Sequence, residues 1–304
     1  MIRPVNFSFN AETAVNNAFQ IAGAGDQAQE QALAEFQGFV QLLRDNGVDV
    51  TVVQDTPDPY TPDSIFPNNW VSFHDDGTVC LYPMYAVNRR LERKPGILET
   101  LGRQFRIEAT LDFSGFEKEG LFLEGTGSMV LDRESKIAYA CTSPRTDIEV
   151  LLDFCRKMGY VHQFFTALDA EGRSIYHTNV MMCVADRYAV VCLDALPIVA
   201  ERAHLAATIR ASGKTLIPIT LIQMNHFAGN MLQVHNQQGE KLLVMSSQAY
   251  ASLDPRQIEQ LGGFNRIIHA PLTTIEMNGG GSARCMLAEI HLPKTTIGSP
   301  AGPR

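Results

Sequence analysis

The sequence has one tryptophan in 304 residues, no Cys-x-x-Cys pair, and neither a His-x-His nor a His-Glu-x-x-His pattern. The missing metal-ligand spacings argue against a zinc site, because structural and catalytic zinc both draw on closely spaced Cys and His. No run of 18 apolar residues exists, which excludes a transmembrane helix. Positive charge is also scarce: 25 Lys and Arg stand against 33 Asp and Glu, a net charge of −8. A nucleic acid or an anionic membrane surface is therefore not expected as a partner. The opening Met1-Ile2-Arg3-Pro4-Val5-Asn6 lacks the apolar core of a signal peptide. Four of the six cysteines (Cys80, Cys141, Cys155, Cys183, Cys192 and Cys285) sit inside apolar, strand-like runs. Buried thiols in a reducing cytoplasm are the expectation, not a disulfide framework.

What is present is a repeat. A polar or small residue followed by an apolar strand recurs at Asn69, Ser128, Asn179, Asn230 and Cys285, in steps of 59, 51, 51 and 55 residues. A period near fifty marks an array of supersecondary units. Each such unit needs its neighbours to bury its apolar face, so residues 1–304 are expected to form one domain.

The pattern within each unit is strand–strand–helix–strand. Hairpins are expected around Asp75-Asp76-Gly77, Asp132-Arg133-Glu134-Ser135, Asp186-Arg187 and Asn236-Gln237-Gln238-Gly239. Helical stretches follow at about 84–103, 145–158, 197–212 and 254–262, and then strands at 104–110, 160–165, 215–220 and 266–270. Apolar residues at helical spacing between Gln27 and Asn46 predict a further helix, ended by Gly47. The alternating Val48–Val53 then reads as a strand. The fifth unit is expected to join Cys285–Leu292 to these N-terminal elements, with Pro293–Arg304 as a loose tail. The Pro-, Asp- and Gly-rich stretches 55–68 and 272–283 are the loops expected to close over a site.

Five strand starts facing one centre would gather Asp63, Asn68 and Asn69, Glu124, His177 and Asn179, Asn225, His226 and Asn230, and Asn278 and Cys285. Cysteine, histidine and carboxylate together are the parts of covalent thiol catalysis. Most of these residue types have a plainer reading. The other five cysteines fit as buried filler, and His74, His162, His204, His235, His269 and His291 fit as structural side chains. Cys285 differs because Gly279-Gly280-Gly281-Ser282-Ala283 precede it, which lets backbone approach a ligand closely. Glu124 follows the apolar Leu121-Phe122-Leu123, where a charge needs a partner. Spacing alone leaves His177 and His226 equivalent.

These motifs, in this order over nearly the whole chain, resemble the guanidine-modifying (amidinotransferase) superfamily of arginine deiminase and dimethylarginine dimethylaminohydrolase. The resemblance implies the pentein fold, an α/β five-bladed pseudo-symmetric propeller. Asp63-Ser64-Ile65-Phe66-Pro67-Asn68-Asn69 is similar to a substrate loop, and Leu123-Glu124-Gly125-Thr126-Gly127 to the motif that supplies the catalytic carboxylate. Ser143-Pro144-Arg145-Thr146 is similar to a motif whose arginine takes the substrate α-carboxylate. His177-Thr178-Asn179 resembles the general acid/base motif, and Gly279 to Cys285 the nucleophile loop. By this carry-over Cys285, His177 and Glu124 are catalytic. Asp63, Asn68, Asn69, Arg145 and Asn179 bind a small amino-acid substrate, with no cofactor and no metal. Homo-oligomerisation stays open.

Asn69 and Asn179 stand where the family's deiminases usually carry aspartate. An amide offers both a donor and an acceptor, as a neutral ureido group does. A buried charge left unmatched costs about 3–5 kcal/mol. The change favours citrulline, hydrolysed to ornithine, ammonia and carbon dioxide, and the wording resembles the citrulline-utilisation hydrolases. It also suits an enzyme carrying arginine past citrulline. The alternatives are an arginine deiminase or dihydrolase, an amidinotransferase, and a non-catalytic pentein binding protein.

Overall fold

The computed structural model describes residues 1–23 and 25–295. Fourteen strands are assigned among them: β1 Ile2–Arg3, β2 Val53–Gln54, β3 Val71–Phe73, β4 Thr78–Leu81, β5 Ala109–Asp112, β6 Met129–Asp132, β7 Ile137–Cys141, β8 Val161–Phe165, β9 Met182–Val184, β10 Tyr188–Val191, β11 Thr215–Pro218, β12 Leu232–His235, β13 Lys241–Ser246 and β14 Arg266–Ala270. Twelve of them form four three-stranded sheets of one design, β3-β4-β5, β6-β7-β8, β9-β10-β11 and β12-β13-β14, and β1 and β2 form a separate pair. In each, the first two strands pair antiparallel and the third adds parallel. The parallel step requires a crossover, and helices 95–102, 148–158, 199–211 and 255–262 supply it. The molecule is therefore α/β, and no sheet closes into a barrel among the described residues.

Local sequence explains the units. In helix Ile148–Met158, Asp147 accepts from Glu149 N at the N-cap and Gly159 ends the helix at φ 71°. Val150, Leu151, Phe154 and Cys155 form its buried stripe against a cluster holding Ala138, Ala140 and Met129 of the neighbouring hairpin. Helix Pro255–Gly262 has Pro at its first position and a capping box between Asp254 and Gln257.

Four expectations change. The stretch 84–103 splits into short helices Val87–Arg90 and Pro95–Gly102, the second opened by its proline. The strand expected at 104–110 starts only at Ala109, because Arg106 N donates to Pro293 O (2.8 Å) and Phe105 bridges Lys294. The same contacts dock residues 293–295, part of the expected tail; residues 296–304 lie outside the described residues. In the fifth unit only β1 and β2 pair, parallel, around helix Ala28–Asp45. Val48–Val52 and Cys285–Leu292 take no strand, although Ala288 and Ile290 pack into the cluster holding Ile2 and Val53. No helix among the described residues is long and apolar enough to cross a membrane.

Candidate active site

Each anchor position of the repeat sits on or beside a tight turn, 67–69, 125–128, 178–181, 226–229 and 283–286, and the first four of these turns lie just ahead of a hairpin. Each turn is bonded to the next. Thr126 Oγ1 donates to Asn68 O (3.3 Å), Thr178 Oγ1 to Ser128 O (2.6 Å), and Asn230 Nδ2 to Asn179 O (2.9 Å). Arg284 N donates to Asn230 Oδ1 (3.1 Å). Glycine permits the close approach. A Cβ on Gly229 would lie 2.2 Å from Val180 O, against backbone that cannot yield. Gly229→Ala is therefore expected to destabilise by at least about 3 kcal/mol, the upper range for overpacking. The melting temperature should drop by about 6 °C or more. Gly38→Ala, an exposed helix position with open space around it, should instead gain up to about 1 kcal/mol. Equal melting temperatures for the two variants would count against this account of the turns.

Behind this chain of turns lies a tight cavity of about 10 Å³, lined by Cys285, His177, Asn69, Asp63, Phe66, Arg89, Arg145, Tyr176, Gly279–Gly281, Thr13 and Asn17. His177 Nε2 lies 2.7 Å from Glu124 Oε2. Glu124 is fully buried, and its Oε1 accepts from Tyr85 N (2.9 Å). Burial alone would raise the Glu124 pKa, but the Arg145 guanidinium and His177 override it and hold the carboxyl well below its usual range. An ionised carboxylate only accepts, so the His177 proton is assigned to Nε2 and Nδ1 is left as the free base. Burial pushes the His177 pKa down to about 4, against the opposing pull of Glu124. The imidazole is thus neutral at pH 7.

That lowering has a stability consequence. A histidine with a depressed folded pKa contributes fully above its unfolded value of 6.5, and the contribution is lost as pH falls from there towards 4. Glu276, raised to about 7 by burial, works the other way: its share is present below 4.5 and lost as pH rises through 7. Between pH 6.5 and 4.5, His177 should cost the fold up to roughly 3 kcal/mol. Melting curves of His177→Gln should fall less steeply than wild type over that window; parallel curves would remove His177 as the cause.

Two amides converge on the Cys285 sulfur. Asn179 Nδ2 lies 3.5 Å and Asn230 Nδ2 3.3 Å from Cys285 Sγ. Asn69 Oδ1 accepts from Arg89 Nη1 (2.8 Å), which leaves its buried Nδ2 without a partner. Asn179 Oδ1 and Asp63 Oδ1 are likewise buried and unpartnered. Asp63 Oδ2 accepts from Asn10 Nδ2 (2.7 Å) and Thr13 Oγ1 (3.1 Å). Arg145 is engaged by the same N-terminal segment: Asn16 Oδ1 accepts from its Nε (2.8 Å) and Nη2 (2.5 Å), and Thr13 O accepts from Nη2 (2.7 Å).

Among the expected site residues, Cys285, His177, Asp63, Asn69 and Arg145 line the cavity, Glu124 stands behind His177, and Asn179 reaches the sulfur. Asn68 does not join them. Its Nδ2 donates to Thr126 Oγ1 (3.3 Å), so it ties two turns together instead of facing the cavity. His226 is exposed, with Nδ1 at 2.8 Å from Ile222 O, and unlike His177 it does not line the cavity. Arg89 carries no mark in the sequence, yet it is buried in the site and paired with Glu92 at 2.8 Å. The stretches 55–68 and 272–283 line the cavity through Asp63, Phe66 and Gly279–Gly281, and the N-terminal segment lines it as well, through Thr13 and Asn17. Asn230 is marked by the repeat, but only the fold places it at the sulfur.

A family model described as N,N dimethylarginine dimethylhydrolase, eukaryotic, matches residues 3–292. The chain belongs to this family. It is therefore a member of the pentein guanidino-modifying hydrolases, enzymes that cleave guanidino C–N bonds. Solved structures share its fold. ArgZ, an arginine dihydrolase from the ornithine-ammonia cycle in cyanobacteria, is 17% identical with a TM-score of 0.73; the match covers 94% of this chain but 39% of ArgZ. The product-bound N-terminal domain of ArgZ is 18% identical with a TM-score of 0.74, over 96% of this chain and 98% of that domain. A dimethylarginine dimethylaminohydrolase adduct is 19% identical with a TM-score of 0.61, over 85% and 90%. A search of curated proteins gave no match.

Proposed function

We propose that this hydrolase acts on free arginine and carries it through citrulline to ornithine. The observation that carries the reading is three unpartnered buried atoms on site residues: two acceptors, Asn179 Oδ1 and Asp63 Oδ1, and one donor, Asn69 Nδ2. The acceptors suit guanidinium N–H groups. The donor suits the ureido oxygen that appears after the first hydrolysis. The preference for citrulline drawn from the asparagines thus becomes the second half of a longer reaction. The fold shared with an arginine dihydrolase supports starting from arginine.

In the first step Cys285 Sγ attacks the guanidino carbon, and the tetrahedral adduct expels ammonia, protonated through His177. Water, deprotonated by the neutral imidazole, attacks the thiouronium carbon and releases citrulline and the thiol. In the second step Sγ attacks the ureido carbon and a second ammonia leaves. Water opens the thiocarbamate to a carbamate, which loses carbon dioxide and leaves ornithine. Arg145 receives the substrate carboxylate, in the place that Asn16 Oδ1 now occupies. Residues of five units contribute to one centre, which fits a five-bladed ring with its site on the axis. Six free thiols fit the cytoplasm. A small amino acid is the expected partner, with no nucleic acid or membrane.

The family description favours a second reading, in which N,N-dimethylarginine loses dimethylamine and the reaction stops at citrulline. Amino-acid analysis after separate incubation with L-arginine, L-citrulline and N,N-dimethylarginine distinguishes them. Ornithine from both arginine and citrulline is expected. Citrulline accumulating from arginine would make the protein a deiminase, and turnover of the methylated substrate alone would establish the second reading.

A further inference from the structure

Asn230 is fully buried, and each of its polar atoms has a use. One amide hydrogen of Nδ2 goes to Asn179 O at 2.9 Å; the other is within reach of Cys285 Sγ at 3.3 Å. Its Oδ1 accepts from Arg284 N at 3.1 Å, and from the Cys285 thiol at 3.7 Å. We propose that Asn230 is the positioning residue that holds the Cys285 sulfur and stabilises its thiolate.

Three observations carry this. First, the amide serves both protonation states of the sulfur. With the thiol, Sγ–H donates to Oδ1; once the proton has gone, Nδ2–H donates to the thiolate, and no side chain has to turn. Second, Oδ1 anchors the peptide N–H directly before Cys285, so one side chain sets the position of the nucleophile's backbone and of its sulfur. Third, Asn230 is itself held firmly. Its own N–H donates to Phe227 O (2.8 Å), across a turn in which Phe227 takes the left-handed φ of 61°. Gly229 beside it is pressed against Val180 O. A bulky residue in that conformation is a sparsely populated state, kept where the surroundings demand it. Asn179, the other amide at the sulfur, keeps Oδ1 free for substrate. Asn230 has no free atom, so its role is directed at the cysteine and not at the substrate.

The inference rests on the covalent thiol reading above, and its test separates the two. The rate of iodoacetamide alkylation at Cys285, located by peptide mapping, is followed against pH in wild type, Asn230→Asp, Asn230→Ala and Cys285→Ser. Aspartate keeps the shape but offers no N–H and adds negative charge beside the sulfur. Its alkylation midpoint should rise by at least about one pH unit, which is roughly a tenfold slower reaction at pH 7. Alanine removes the donor without adding charge, so its midpoint should rise by about half as much, and it stands in should the aspartate variant fail to fold. With the compound that wild type turns over, both variants should lose kcat with KM within about twofold, because only the thiolate and the states it forms are affected. Midpoints equal to wild type in folded variants would reduce Asn230 to a structural residue. Wild-type Cys285 reacting no faster than the five other buried cysteines would overturn the covalent reading and this inference with it.

Discussion

Cys285→Ser should lower turnover of arginine and citrulline by at least about 10⁴-fold, because the loss of a covalent nucleophile removes the whole reaction path. The substitution changes one atom in a buried site where Asn179 and Asn230 both point at that atom. Serine keeps the hydrogen bonds and fits the space, so the melting temperature should stay within a few degrees of wild type. A hydroxyl, however, ionises far less readily than a thiol and is the weaker nucleophile, so it does not form the covalent adduct at a useful rate. Binding should survive, so calorimetric titration of Cys285→Ser with arginine should give an affinity near the wild-type KM. Residual activity within a hundredfold of wild type would mean that water attacks the substrate directly.

Glu124→Gln is the second large effect. Glu124 faces His177 at 2.7 Å and Arg145 at 3.5 Å, with no exposure of its own. Glutamine leaves Arg145 a buried charge without its counter-ion, which costs about 3–5 kcal/mol when one partner of such a pair is removed. Part of that loss is relieved, because Asn16 Oδ1 and Thr13 O still accept from the guanidinium. The kinetic loss should be larger. A neutral amide no longer demands the Nε2–H tautomer, and loss of the orienting carboxylate slows the serine-protease triad by about 10⁴-fold. Here turnover should slow by roughly a thousandfold to ten-thousandfold, measured on protein shown by circular dichroism to be folded. The acid limb of the pH profile should move to lower pH, since the carboxylate that favours the imidazolium has gone and the neutral imidazole persists further into acid. A variant that turns over within tenfold of wild type would show that Glu124 serves Arg145 alone.

The three residues proposed as catalytic were legible in the sequence because each sits in a short local pattern. Cys285 follows a run of small residues, His177 stands two before a repeat anchor, and Glu124 interrupts an apolar stretch just before a glycine turn. Asn68 and Asn69 could not be told apart in this way. They are neighbours in a tight helical turn, where successive side chains diverge by roughly 120°; one reaches Thr126 and the other Arg89. Arg89 had no signal at all. It lies in a short basic helix, and only the fold carries it to Asn69, twenty residues back, and buries it with Glu92.

The repeat in the sequence, with its hairpin turns, capped helices and spacing near fifty, determined the strand–strand–helix–strand units, because period, caps and turn residues act over a few positions and need no distant partner. The motif residues likewise determined the chemistry available. The tertiary structure decided which way each polar atom points, which asparagine amides lie against the Cys285 sulfur, and that the N-terminal segment lines the cavity. Those outcomes depend on contacts such as Asn16 with Arg145 and Asn230 with Cys285, 129 and 55 residues apart in the chain. At such separations no local preference acts, and only the packing of one unit's turn on the next brings the partners together.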